Sequence, residues 1–209
     1  MDILDKTKKQ LERNNFEVFI SQSLEEAYKI FIEVILPQLN AKSVSFGDSI
    51  TMHQTGVIEY LKNCEKYEFI DTFNSENSWR EQIIQRKKAL TADLFLTGTN
   101  AITESGYLIN LDMIGNRVAA ITFGPRNVVL FVGKNKIVQD LDSAFKRVKE
   151  ISAIVNSKRH KSLKLPCQIK GVCSDCHSPQ RICNTWTITE KSYPKNRIKI
   201  ILINEELGF

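Results

Sequence analysis

Residues 93–124 read DLFLTGTNAITESGYLINLDMIGNRVAAITFG, and this stretch decides the fold. It opens on a compact apolar run, Leu94-Phe95-Leu96, and passes through Thr97 into Gly98-Thr99-Asn100. A strand apolar at successive positions has both faces covered, as in a parallel sheet with helices on either side. Val128 to Val132 and Ile198 to Ile203 repeat the pattern further along. Between these runs lie helical periodicities. Leu24, Ala27, Tyr28, Phe31 and Ile35 recur at helical spacing behind a Ser23/Glu26 capping box, and Pro37 ends that helix. Val57, Ile58 and Leu61 mark a second helix, Trp79 to Leu90 a third, and Leu141, Ala144, Phe145, Val148, Ile151 and Val155 a fourth. Strands alternating with helices predict an α/β fold. Tyr107–Leu111 and Arg117–Phe123 read as two antiparallel strands joined by a turn at 112–116, which makes the sheet mixed, mostly parallel and flanked by helices.

The same stretch carries the densest polar chemistry. In open α/β sheets ligands gather beyond the carboxyl ends of the strands. Gly98, Thr99 and Asn100 stand there, suited to an anion or carboxylate. Glu104 sits on a tight Glu-Ser-Gly turn and is the catalytic candidate. Asn110, Asp112, Asn116 and Arg117 add polar groups on the facing segment, either lining a pocket or holding their own turn together. Gly47, Asp48 and Ser49 follow the Val44–Phe46 strand and lead into a helix, where they serve as an anion site or as ordinary caps. Lys134 and Lys136 follow the 128–132 run and suit a carboxylate or phosphate, with Lys134 taken as the binding residue and a solvated loop as the plainer alternative.

Four of the five cysteines, Cys167, Cys173, Cys176 and Cys183, fall in PCQIKGVCSDCHSPQRIC with spacing C-x5-C-x2-C-x6-C. The central two-residue gap lets both sulfurs face one point, as in zinc and iron–sulfur loops. The outer gaps match no zinc-ribbon or ferredoxin pattern, so zinc, an iron–sulfur cluster and a metal-free thiol tail all stay open. His177, next to Cys176, reads as a surface histidine before it reads as a ligand. Trp186 either shields such a site or anchors the tail. Residues 156–196, with Pro166, Pro179 and Pro194, read as an excursion before the last strand of a single domain spanning 1–209.

Composition narrows the function classes. Hydrophobic residues make up 42% of 209, enough for a full core. The net charge of +5 is mild and scattered, without the basic face and stacking residues of a nucleic-acid binder. No apolar run reaches a membrane span, and the charged start MDILDKTKKQ lacks a secretory h-region, so a cytoplasmic protein is expected. There, clustered cysteines favour metal or redox chemistry over structural disulfides.

GDSIT (47–51), the 93–124 stretch, VGKNKIV (132–138), PC…C..C.SP.RICN (166–184) and INEELGF (203–209) together resemble the lactate-utilization, or LUD-domain, family, from about residue 10 to the end. The likeness is to a compact single-domain branch with the four-cysteine tail. It implies a fold like those of CoA transferases, sugar-phosphate isomerases and 5-formyltetrahydrofolate cyclo-ligase. It also implies a small anionic metabolite as ligand, and for some members a place beside iron–sulfur partner proteins in a system oxidising L-lactate to pyruvate. CoA transferases of similar fold use a Glu before a glycine-containing turn as nucleophile, which is the role the resemblance offers Glu104. The glycine-rich CoA-binding stretch does not follow here. The tandem ferredoxin cysteine runs of the iron–sulfur partners are also missing.

Overall fold

The computed structural model describes residues 2–209 and is α/β. Six strands form a wholly parallel sheet: β1 (Glu17–Ser21), β2 (Ser43–Phe46), β3 (Glu68–Ile70), β4 (Leu94–Thr97), β7 (Asn127–Gly133) and β10 (Ile198–Ile203), in the order β1-β10-β7-β4-β2-β3. The remaining strands, β5 (Ala101–Thr103), β6 (Leu108–Asp112), β8 (Ile137–Val138) and β9 (Thr185–Thr189), make a second sheet ordered β8-β5-β6-β9. The mixed character read from the sequence resides in this smaller sheet, where β6 runs antiparallel to β5 and β9 while β8 runs parallel to β5.

Alternation along the central strands explains the continuous apolar runs. In β7, Val128, Leu130 and Val132 face one hydrophobic cluster, with Leu4, Leu11 and Ile121. Val129 and Phe131 face the opposite cluster, with Phe31, Met52 and Leu61. Ile200 and Ile201 of β10 divide in the same way. Because both faces are dry, period-two polarity disappears from the sequence.

One expected strand is a helix. Residues Asn116–Thr122 are α-helical, so 107–111 and 117–123 do not form a hairpin. Gly115 enters this helix at φ +82°, and Asp112 Oδ2 accepts the Val118 N–H at 3.0 Å, satisfying a free N-terminal donor. At the other end a Cβ on Gly124 would lie 2.7 Å from Ala120 Cα, a fit that only glycine makes. The antiparallel partners of β6 are instead β5 and β9, and β9 lies within the 156–196 excursion. The Ser23 cap forms, but Glu26 reaches the Gln22 N–H, and both halves of a capping box occur at Ser78/Glu81. Among the described residues no helix is long and apolar enough to cross a membrane.

Candidate functional site

All six parallel strands end on one edge, and the loops beyond β2, β4, β7 and β10 wall a cleft of about 210 Å³. Gly47-Asp48-Ser49 follows β2 and Gly98-Thr99-Asn100 follows β4. A Cβ on Gly98 would stand 2.4 Å from Ser49 Oγ, so these loops touch only because position 98 has no side chain. A one-turn 3-10 helix, Lys134–Lys136, follows β7, and the segment after β10 is tied to it, the Lys134 N–H donating to the Glu205 carbonyl at 3.0 Å and the Leu207 N–H to Asn135 Oδ1 at 3.1 Å. The facing wall comes from β6 and the helix Asn116–Thr122. It is completed by the helix that runs from Leu141 to Arg159 through a π-helical turn at Val148–Ser152. Such turns recur at functional sites because they redirect side chains within a helix.

Arg117 organises this wall. Its Nε donates to Asp112 Oδ1 at 3.0 Å, and its Nη2 lies 2.8 Å from the same oxygen. Nη1 donates to the Gly98 carbonyl (3.0 Å) and Asn110 Oδ1 (2.6 Å), and Nη2 to Asn100 Oδ1 (2.7 Å). Asn100 Oδ1 also accepts the Leu111 N–H at 3.0 Å. The rigid guanidinium fork thus ties β4, β6 and its own helix together, and its charge is spent on Asp112. Asp48 is likewise engaged, by Arg159 at 2.8 Å and His53 at 3.6 Å. Burial opposes the Asp48 charge, but these two partners outweigh it and bring the carboxyl down to about 2.

Lys136 is different. It is 5% exposed, lines the cleft, and donates to Thr51 Oγ1 at 3.0 Å. Burial, with Arg147 and Arg117 adding like charge, pushes its ammonium down to about 7. Arg147 is itself buried, donating to the carbonyls of Asn135 and Asn100 and to Ser152 Oγ. At the mouth Arg86 lies over the rings of Trp79 (5.0 Å) and Phe73 (5.2 Å), with no carboxylate partner among the described residues.

The four cysteines converge on a second, smaller pocket of about 30 Å³. Cys167 lies on the short helix Pro166–Lys170 and the others on the following loop. All four are free thiols, with Cys173 exposed and the rest half-buried. Burial, reinforced by the three neighbouring sulfurs and only partly offset by Arg181, pushes the Cys183 thiol up to about 11. Arg181 donates to the carbonyls of Cys183 and Cys176, both at 2.8 Å, and Lys149 pairs with Asp175 at 2.8 Å, fixing the loop to the long helix. Trp186 lines this pocket and packs edge-on against Phe145 at 5.0 Å between ring centres, which anchors the tail on the long helix. Among the described residues no three of His, Cys, Asp and Glu are placed to hold a metal ion between them.

A profile of the LUD domain matches residues 4–203. The chain belongs to the LUD-domain family. The crystal structure of a DUF162-family protein from Deinococcus radiodurans is similar in fold, with a TM-score of 0.51 at 14% identity, covering 97% of this chain and 96% of that one. No curated protein matches the sequence.

In this LUD domain the cleft brings together Asp48, Ser49, Gly98, Thr99, Asn100, Asp112, Asn116 and Arg117, with Gly47 packed behind Arg117 and Asn110 bonded to it. Ser49 is a helix cap, accepting the Met52 N–H at 3.4 Å. Lys134 stays on the surface, bonded to Asn204 Oδ1, while Lys136 turns inward. Glu104 is exposed on the β5–β6 turn, which Asn14 fastens to the first helix through the Ser105 and Gly106 carbonyls, and it does not line the cleft. His177 is exposed and lines neither pocket. Arg147 carries no signal in the sequence, and Arg86 and Arg159 stand there only as members of the short basic clusters 86–88 and 158–161, which read as solvated helix ends. Nothing in an amphipathic or basic helix distinguishes an arginine aimed at a cleft from one in water.

Proposed function

We propose that this LUD domain binds a small organic anion, a 2-hydroxy or 2-oxo carboxylate of lactate utilization, in the cleft beyond the strand ends. It would act there as a binding or accessory subunit beside iron–sulfur partner proteins. The supporting observation is Lys136. It is a buried ammonium on the cleft floor that keeps company with a hydroxyl and two arginines and has no carboxylate partner among the described residues. A buried cation without a counter-ion is costly, and an incoming carboxylate supplies one. The other cations of the floor, Arg117 and Arg159, are already paired with Asp112 and Asp48. Arg86 at the mouth adds a positive field that draws anions inward. The family supplies the metabolic theme, and Lys136 supplies the charge the ligand must carry.

The test is calorimetric titration of the wild type and of Lys136→Met with pyruvate and with L-lactate at pH 6.5. The wild type binds at least one of them, and the variant loses affinity by at least tenfold, the value of one charge-assisted hydrogen bond of about 1.5–3 kcal/mol. Equal binding by both proteins would remove Lys136 from the site. Turnover of acyl-CoA substrates that depends on Glu104 would favour the transferase reading instead.

A further inference from the structure

Two carboxylates, Asp48 and Asp112, line the cleft beside the cations Arg86, Arg117, Lys136 and Arg159. Asp112 pairs with Arg117 and Asp48 with Arg159. Lys136 and Arg86 are left over, each bonded to a neutral acceptor, Thr51 Oγ1 and Gln82 Oε1. The lining therefore carries a second uncompensated cation besides the buried lysine.

Arg86 is held in a way the paired arginines are not. Its guanidinium lies over the rings of Trp79 and Phe73, 5.0 and 5.2 Å from their centres. Its Nε is buried without a hydrogen-bond partner, and Nη2 donates to Gln82 Oε1 at 3.1 Å. Aromatic faces fix a guanidinium in place and leave its charge intact, whereas a carboxylate cancels it. A fixed, uncancelled guanidinium matches the planar geometry of a carboxylate or the oxygens of a phosphate.

The two free cations serve different parts of the cleft. Lys136 follows β7. Phe73 follows β3, and the helix Trp79–Ala89 that carries Arg86 packs on β2 and β3. β3 is three strands from β7 in the sheet, about 14 Å at the usual strand spacing. The charges that bear on Lys136 are those of Arg147 and Arg117, not that of Arg86. Ile50, Met113 and Ile114 also line the cleft and give apolar surface for a carbon stem.

We propose that the ligand of this cleft has two anionic ends: a carboxylate taken by Lys136, and a second carboxylate or a phosphate taken by Arg86 at the mouth. Arg86 is then the residue that selects for ligand length and charge. The proposal rests on the cleft being an anion site, and it narrows the ligand to a 2-hydroxy or 2-oxo acid with a charged far end.

The experiment is calorimetric titration of the full chain at pH 6.5 and physiological ionic strength, where long-range fields are screened. The probes are pyruvate, 2-oxopentanoate, 2-oxoglutarate and 3-phosphoglycerate. 2-Oxopentanoate and 2-oxoglutarate have the same chain length and differ in the terminal carboxylate, so their ratio isolates the second charge. The wild type is expected to bind 2-oxoglutarate or 3-phosphoglycerate about tenfold more tightly than 2-oxopentanoate, as one charge-assisted hydrogen bond provides. Whichever of the two binds more tightly identifies the second group as carboxylate or phosphate. In Arg86→Gln that preference is expected to vanish, and in Arg86→Lys, which keeps the charge without the planar fork, to return in part. Equal wild-type affinity for the monoanion and both dianions overturns the proposal, and this comparison needs no variant to fold. A preference that survives in Arg86→Gln, or a fall in affinity for all four acids alike, also overturns it. Pyruvate binding without any preference for a dianion leaves the anion site standing and removes only the second end. Absence of binding by all four acids overturns the anion reading and this proposal with it.

Discussion

Lys136 Nζ donates to Thr51 Oγ1 across 3.0 Å, and Thr51 Oγ1 donates in turn to the Leu207 carbonyl at 3.2 Å. The chain of contacts is neutral from end to end. The charged groups acting on Lys136 are Arg117, from the helix after β6, and Arg147, from the helix that closes the cleft, and both repel it. The ammonium, ordinarily at 10.5, is brought down to about 7. In the unfolded chain the lysine holds its proton up to its ordinary value, and in the folded protein it releases it near 7. Between these limits the unfolded state binds more protons, so stability rises as pH increases from about 7 toward 10 and is flat with respect to this group below 7. The wild-type melting temperature, measured against Lys136→Met from pH 6 to 9, therefore falls furthest behind the variant at pH 6 and regains ground as pH rises. A constant difference across that range would show that Lys136 keeps an ordinary ammonium.

Arg117 satisfies Asp112, Asn110 and Asn100 together with two backbone carbonyls. Its side chain is 11% exposed and that of Asp112 is 6%. Removing one partner of such a pair leaves an uncompensated buried charge, which costs about 3–5 kcal/mol. Urea denaturation of Arg117→Ala is expected to show a loss of this size. A loss within experimental error of zero would mean the network is not held by its guanidinium.

Gly98 and Ser49 meet so closely that a methyl group at 98 needs the serine hydroxyl to move. Gly98→Ala is expected to destabilise by about 1–3 kcal/mol, as overpacked sites do. Adding Ser49→Ala removes the nearest atom, and the double variant recovers part of the loss by thermal denaturation. Simple additivity of the two substitutions would show that the contact does not govern the loop.

Much of the fold was legible because burial leaves a plain mark. Leu94–Leu96, Val128–Val132 and Ile198–Ile203 are apolar at consecutive positions since each strand has helices on both faces. Residues 116–122 misled because Val118, Ile121 and Thr122 are β-branched, while the features that set the helix are a cap from Asp112 and a left-handed glycine at 115. Strand β9 did carry a signal, Thr185, Thr187 and Thr189 alternating with Trp186 and Ile188, but it lay in a stretch crowded with proline and cysteine. The loops after β2 and β4 could be named from the rule that ligands collect at strand ends. The choice between Lys134 and Lys136 could not, because a single 3-10 turn decides which of two lysines, two residues apart, points inward. Leu111, Ala153, Ile182 and Cys183 line both the cleft and the cysteine pocket, a proximity created only by packing.

Glu104, exposed on a turn away from the cleft, offers a clean control. Glu104→Gln is expected to leave pyruvate binding unchanged and stability within about 0.5 kcal/mol, as for ordinary surface substitutions. A variant that folds normally but loses ligand binding would restore Glu104 to the site.

The most direct test of the account is the proton balance of anion binding. Pyruvate is titrated into the wild type at pH 8 in two buffers of different ionisation enthalpy. If the ligand sits on Lys136, binding restores the ammonium and draws close to one proton from the buffer, an uptake that fades at pH 6, where the lysine is already charged, and is missing from Lys136→Met. Binding that takes up no proton at pH 8, or takes it up equally in the variant, would contradict the claim that Lys136 is the cation this cleft presents to its ligand.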